Sequence, residues 1–468
     1  MSEIYDLVIY NGRLVYKDAV RSGGIAVQDG KIALVFDDQE RPRGNQELDA
    51  GGHYVLPGLI DSHVHFRTPG LEHKENWESA SKAAVAGGIT TVLDMPNTHP
   101  YTDSVDRIRE KETLIQGHSL VDYGFHIGVV PGKLLPLEVL RQEHAASIKL
   151  FLTGHRTARN VIDQDADLET IFRLAAHRQI PLTLHAEDDA VLHLYRQVHK
   201  LPDNLASYEA IAPRSGAIAA IARVLRLVRK YGTSIHVLHV SSEEEVDLLE
   251  TAASAGYPVT FETTAHQLWF DLDSASALGT KTKLSPAIRS SRDRTRLWAA
   301  VKNGALTSVG SDHAPHSQEE KAADFGEAPP GLPGVQELLP VLLTGLERFL
   351  PELSRDERLS KVVSLLAEGP ANRFRLNHRK GSLRPGLDAD LVIVDDQQTW
   401  QVEAKDLHSF SGWSPYEGLT LSGVPLVTIR SGQIVFDRGI FGKPEGHSVN
   451  YAPAPIATFE QVSGSPFH

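Results

Sequence analysis

A chain of 468 residues, 41% hydrophobic and 23% charged, is long enough for one large domain and a smaller one, with a sizeable buried core. Its formal net charge of -13 comes from 60 acidic against 47 basic residues without a long single-sign run, which argues against nucleic-acid or acidic-membrane partners. There is no cysteine, so disulfides, thiolate catalysis and zinc-thiolate sites are excluded, and any metal falls to the 22 histidines, to carboxylates or to modified side chains.

The start, Met1 to Asp6, lacks the basic and apolar regions of a signal peptide, and no apolar stretch reaches spanning length, so a cytoplasmic protein is expected. Residues 1–53 read as a small antiparallel β module. Apolar runs Leu7 to Tyr10, Leu14 to Tyr16, Ile25 to Val27 and Ile32 to Val35 alternate with Asn11-Gly12 and Asp29-Gly30, both hairpin signals.

From residue 54 strands alternate with helices. Strand Leu56 to Phe66 precedes helix Trp77 to Ala86, and strand Ile89 to Met95 precedes helix Ser104 to Ile115. Strands Tyr123 to Val130, Ser147 to Leu152, Leu182 to His185, Ser234 to Val240, Val259 to Thr264 and Thr307 to Ser311 follow, with helices between the later ones. Eight strands fit a closed (β/α)8 TIM barrel over residues 54–375, an α/β fold. Residues 376–440 return to β character around a Ser431-Gly432 turn and are expected to join residues 1–53 in one small β-sandwich domain. Residues 441–468, rich in Pro, Gly and Ser, read as an arm or a disordered end.

Polar residues at successive strand ends carry the chemistry, because a barrel gathers such ends at one mouth. His63 and His65, two apart on a strand, can aim two imidazoles at one point. Arg67 follows them, then Asn97, Lys149, His185, His239 and Asp312. Lys149 stands among Ile148, Leu150 and Phe151, where an inward ammonium is costly unless its charge changes. Carboxylation by carbon dioxide makes such a lysine an anionic bridging ligand. His236 competes with His239 on the same strand, and His239 is preferred because it lies nearer the C-terminal end.

Three motifs carry a resemblance: His63-Val64-His65-Phe66-Arg67-Thr68-Pro69-Gly70, Met95-Pro96-Asn97-Thr98, and Ser311-Asp312-His313-Ala314-Pro315-His316. They are supported by Glu319-Glu320-Lys321 and Gly331-Leu332-Pro333-Gly334-Val335. Over residues 4 to 440 the chain resembles the cyclic amidohydrolases of the amidohydrolase superfamily, the dihydroorotases most. The resemblance implies a binuclear zinc site: His63, His65 and Asp312 on the more buried ion, His185 and His239 on the other, carboxylated Lys149 between them. It implies Asp312 as the proton carrier. It also makes Arg67, Asn97 and His316 the contacts of a substrate carboxylate, Ser285 being a further substrate-binding candidate.

Other stretches point to neutral rings. Ser285-Pro286-Ala287-Ile288-Arg289 is closer to dihydropyrimidinases and hydantoinases, Ser414-Pro415-Tyr416-Glu417-Gly418 resembles the ending of allantoinases, and Glu262 to Gln267 lacks the usual Pro-His pair. Dihydroorotase activity is therefore the first expectation, allantoinase or hydantoinase activity the alternative, and a non-catalytic scaffold a distant third. The expected partners are a small cyclic amide and further copies of the chain, as a dimer or tetramer.

Overall fold

The computed structural model describes residues 4–154 and 157–453. Its first strand, β1 (Ile4–Val15), runs through Asn11-Gly12 instead of turning there. Asn11 has a left-handed backbone (φ 54°) and the register against β2 (Val20–Gln28) shifts at this point, so the pair forms a bulge. A side chain at position 12 would come within 2.8 Å of Val55 Cγ2, which is why glycine stands there. Asp29-Gly30, at φ 52° and 73°, does make the two-residue hairpin into β3 (Lys31–Phe36). Then β4 (Arg43–Asp49) and β5 (Tyr54–Pro57) each pair with β1 in parallel.

The strand expected from Leu56 to Phe66 is two strands, divided at Gly58, where a Cβ would meet Thr90 Oγ1 at 2.3 Å. Beyond it β6 (Leu59–Val64) enters the barrel and pairs in parallel with β7 (Ile89–Asp94), which pairs with β8 (Asp122–Phe125). A second parallel run comprises β9 (Ile127–Gly128), β10 (Ile148–Phe151), β11 (Leu182–His185), β12 (Ile235–Val237), β13 (Val259–Thr264) and β14 (Ser308–Gly310). Counting β8 and β9 as one stave, eight staves close the ring. Ala146 N–H donates to Phe125 O (2.8 Å) at one seam, and His65 N–H to His313 O (2.8 Å) at the other.

Helices begin where short polar side chains can accept the first free N–H groups. Ser104 accepts from Arg107 ahead of Val105–Ile115, and Ser242 with Glu245 forms a capping box ahead of Glu243–Ser254. Two helices not read from the sequence, Asp189–Val198 and Leu205–Ile211, lie between β11 and helix Arg214–Tyr231. No helix among the described residues is long and apolar enough to cross a membrane.

The last strands are β15 (Leu391–Gln401), β16 (Thr420–Arg430), β17 (Gln433–Asp437) and β18 (Ile440–Phe441), with Ser431-Gly432 (φ 46° and 76°) turning β16 into β17. They continue the first sheet in the order β18-β17-β16-β15-β5-β1-β2-β3, so β5 joins the two chain ends. This is the β-sandwich part of the fold, beside the TIM barrel. Along β5 the side chains alternate: Val55 enters the sandwich core with Leu7, Ile9 and Ile429, whereas Tyr54 and Leu56 enter the barrel core. Past β18, the stretch read as an arm or a disordered end runs along the barrel to Tyr451, whose hydroxyl accepts from Phe125 N–H (3.1 Å); residues from 454 onward lie outside the described residues.

A buried charge cluster ties these parts together. Asp122 of β8 accepts from Lys380 Nζ (2.7 Å), Arg430 Nη1 (3.0 Å) and the His447 N–H (3.0 Å), and Lys380 also reaches Asp390 (2.5 Å). Burial pushes the Asp122 carboxyl up, but Lys380 and Arg430 outweigh it and hold the group down at about 2. A carboxylate depressed on folding stabilises the native state above its unfolded pKa, near 4, and that contribution disappears as the pH falls from about 4 to 2. Asp122→Ala leaves the buried Arg430 without its carboxylate while Lys380 keeps Asp390, so a loss of about 3–5 kcal/mol is expected. Urea titration would read it as a lower midpoint at neutral pH, and an unchanged midpoint would remove the cluster from the account of stability.

Candidate active site

The barrel places the strand-end residues at one mouth. His63 lies near the end of β6 and His65 just beyond it, Lys149 lies within β10, and His185 ends β11; His239 follows β12 and Asp312 follows β14. Arg67 (φ 61°), His239 (φ 38°) and Asp312 (φ 43°) all have left-handed backbones. Such conformations cost about 1–3 kcal/mol each in a residue with a side chain, and persist where the surroundings force a particular aim.

A single cavity is lined by His63, His65, Arg67, Lys149, His185, His239, Ser285 and Asp312. Asn97 and His316 stand behind its wall. Asn97 Oδ1 accepts from His65 Nδ1 (2.8 Å), and its Nδ2 is buried without a hydrogen-bond partner. His316 donates from Nε2 to Pro330 O (3.0 Å) and receives Lys74 Nζ at Nδ1 (2.9 Å). Both ring nitrogens are thus engaged by the protein, so the direct substrate contact expected of His316 is not what the geometry displays.

Among the described residues, His63, His65 and Asp312 form a group whose ligand atoms are close enough to share one metal ion. Their chemistry fits a cation. His63 Nδ1 meets Glu262 Oε1 (2.7 Å), a buried carboxylate that can only accept, so in the neutral ring the lone pair sits on Nε2. His65 is oriented the same way by Asn97, and the Nε2 atoms of both rings lie 3.2 Å from Asp312 Oδ1. Three electron-pair donors therefore converge without a hydrogen between them, an arrangement that a metal ion relieves.

The neighbouring groups extend the same pattern. His185 Nε2 meets Glu187 Oε2 (2.8 Å), which turns Nδ1 into the lone-pair nitrogen, and Ser285 Oγ donates to that same carboxylate oxygen (3.0 Å). His239 Nδ1 is buried with no hydrogen-bond partner, and its ring lies 4.6 Å from that of His185 and 5.4 Å from that of His63. Burial keeps His65 down at about 4, and burial reinforced by His185 and His63 keeps His239 well below the imidazole range. Neutral imidazoles are the metal-binding form. Burial raises the Asp312 carboxyl, and it is held well below the usual carboxylate range when the rings of His63, His65 and His239 are protonated.

Lys149 is 1% exposed, with its Nζ 4.6 Å from the centre of the Phe151 ring. Burial brings its amine down to about 7, into the range where the uncharged form that adds carbon dioxide is present near neutral pH. Arg67 is 2% exposed; its Nε donates to Pro315 O (3.3 Å), while Nη1 and Nη2 are buried without hydrogen-bond partners.

Two residues of this architecture escaped the sequence reading of roles. Glu262 orients His63, also accepts from His236 Nε2 (3.3 Å) and Ser308 Oγ (3.2 Å), and is held at about 2 because those histidine contacts outweigh its burial. Glu187 does the same for His185. Their only sequence signal is a carboxylate in or just after a strand that is otherwise buried. His236 is the structural histidine of its strand, held by Thr260 and Glu262.

Residues 54–435 match the Amidohydrolase family. The chain is 36% identical to a dihydroorotase of Halobacterium salinarum over 446 residues, covering 93% of this chain and 99% of the relative. It is 32% identical to an L-hydantoinase of Paenarthrobacter aurescens over 443 residues, covering 93% and 95%. Among solved structures, the L-hydantoinase (dihydropyrimidinase) from Arthrobacter aurescens superposes with a TM-score of 0.89 at 31% identity, covering 95% of this chain and all of the other. With the barrel, the β sandwich and the convergent His63, His65 and Asp312 in view, the chain belongs to the amidohydrolase family.

Proposed function

We propose that this hydrolase opens and closes a six-membered cyclic amide that carries a carboxylate, interconverting dihydroorotate and N-carbamoyl-L-aspartate in pyrimidine synthesis. The observation that supports the carboxylate is Arg67, a buried guanidinium in the cavity wall with both terminal nitrogens unpaired. A planar fork of donors matches two carboxylate oxygens, and a neutral ring would leave it unmatched. Asn97 Nδ2 is a further unpaired donor behind it.

In this reading His63, His65 and Asp312 would hold one zinc ion and His185 and His239 a second, with Lys149, once carboxylated, as a ligand available to both. Zinc, when bound, supplies Lewis acidity and a water acidic enough to act near neutral pH. Glu262, Asn97 and Glu187 orient the imidazoles. Asp312 accepts the proton of the attacking water and delivers it to the ring nitrogen as the C–N bond breaks; the reverse transfer closes the ring. Leu194, Val198 and Leu201, exposed at 56%, 68% and 84%, support an association between copies of the chain.

The second reading, a neutral ring such as hydantoin or allantoin, is supported by Ser285 in the cavity wall and by the likeness to L-hydantoinase. Hydrolysis of dihydroorotate, hydantoin, dihydrouracil and allantoin, with cyclisation of N-carbamoyl-aspartate alongside, separates the two. Arg67→Met is expected to raise the KM for dihydroorotate at least about tenfold, the scale of a charge-assisted bidentate contact, with little effect on a neutral ring. Equal effects on both would remove the reason for naming dihydroorotate.

A further inference from the structure

The stretches Glu319-Glu320-Lys321 and Gly331-Leu332-Pro333-Gly334-Val335 have no part in the chemistry above, yet they meet at the cavity wall. Pro330 and Gly331 line that wall. The carbonyls of three successive residues are held from behind: Lys321 Nζ donates to Pro329 O (3.0 Å) and Gly331 O (2.9 Å), and His316 Nε2 donates to Pro330 O (3.0 Å). Gly331 N–H donates to Lys283 O (3.0 Å). Gly331 has φ 130°, and a Cβ there would lie 2.5 Å from Ala314 O, so the wall approaches the loop after β14 as closely as glycine allows.

His316 can hold Pro330 O only as the Nε2–H form, since a carbonyl oxygen accepts and never donates. The Nδ1 lone pair then needs a donor, and Lys74 Nζ stands 2.9 Å away. Lys74 is held in turn by Glu320 Oε1 (2.6 Å). Lys74 and His316 are both buried, 5% and 1% exposed, so this chain is fixed by the interior and not by solvent. Burial, helped by Arg67 and Lys74, outweighs Glu320, whose Oε2 lies 3.5 Å from Nδ1 and pulls the other way, and keeps the His316 ring neutral, down at about 3.

We propose that Lys74 is a positioning residue: paired with Glu320, it selects the Nε2–H tautomer of His316, which together with Lys321 clamps the Pro329–Gly331 carbonyls and so fixes the wall against which the substrate ring is oriented. This rests on the cavity being the place where a ring is opened, and not on which ring it is. A wall displaced by a fraction of an ångström mainly affects binding and alignment, so KM moves more than kcat.

The test uses Lys74→Met, Lys74→Arg and Glu320→Gln in the full-length, metal-loaded enzyme. For the cyclic amide that the parent protein turns over best, Lys74→Met is expected to raise KM about tenfold with kcat within about threefold, and Lys74→Arg to restore most of the loss. Glu320→Gln, on a partly exposed side chain, shifts KM in the same direction by less. Hydrogen–deuterium exchange over residues 322–334 gives a readout independent of turnover: Lys74→Met accelerates it about tenfold while the barrel strands keep the parental rate. Unchanged exchange with unchanged KM overturns the proposal, as does an equal loss in Lys74→Arg. Should Lys74→Met fail to fold, parental KM and exchange in Glu320→Gln would overturn it by themselves. A parent protein that opens none of the rings counts against the proposed function instead, and the exchange comparison still decides the role of Lys74.

Discussion

Asp312→Asn is expected to lower turnover by about 10²- to 10⁴-fold, the range of a lost general acid-base group, while the protein still folds. The substitution keeps the side-chain shape, and asparagine tolerates the left-handed backbone at this position (φ 43°) as aspartate does. What it removes is the negative charge beside the Nε2 atoms of His63 and His65, each 3.2 Å from Oδ1, and with it the carboxylate proposed to carry the proton. The measurement is kcat on the best ring substrate together with thermal unfolding and metal content. Parental activity would end the assignment of Asp312 as proton carrier.

Lys149→Ala is expected to weaken metal binding at least about 10- to 100-fold, the loss seen when even an outer partner of a metal site is removed. The side chain is inward in β10, 1% exposed, with no carboxylate hydrogen-bonded to it among the described residues, so a plain ammonium is poorly matched to its place. Shortening it leaves a gap beside Phe151 and His185 into which acetate or propionate can place a carboxylate where a carboxylated lysine would have had one. Partial return of metal and activity with such acids is the result expected, read by elemental analysis and rate. Full metal occupancy in Lys149→Ala without any added acid would argue that the lysine bridges nothing.

Residues read from the sequence as candidates were legible for a physical reason. Histidine, lysine or aspartate at the end of an apolar strand is expensive without a task, and the alternation of strands with helices tells which end faces the mouth. His63, His65, Lys149, His185, His239 and Asp312 all reach one cavity on that ground. What was illegible depends on partners distant in sequence. His316 carries the same strand-end signature, yet Lys74 and Pro330 occupy its nitrogens; Glu262 serves a histidine 199 positions earlier. The Asn11-Gly12 hairpin failed similarly, because Val55 on a neighbouring strand, not the local turn preference, decides the backbone there. The helices Asp189–Val198 and Leu205–Ile211 were missed because they bury little: Leu192 and Leu205 are their only fully buried side chains.

The junction at β5 also orders events in time. This four-residue strand has β1 on one side and β15 on the other, and the partner of Pro57 is Leu391, more than three hundred positions later. During synthesis all of the barrel strands are made before that partner exists, so one edge of β5 waits uncovered. Val55 and Leu56 are apolar, and Tyr54 adds a buried ring, the kind of open edge on which chains stick to each other. Chaperone dependence and aggregation of fragments ending before residue 391 should therefore centre on this strand, and supplying the segment from β15 to β18 as a separate chain should relieve them.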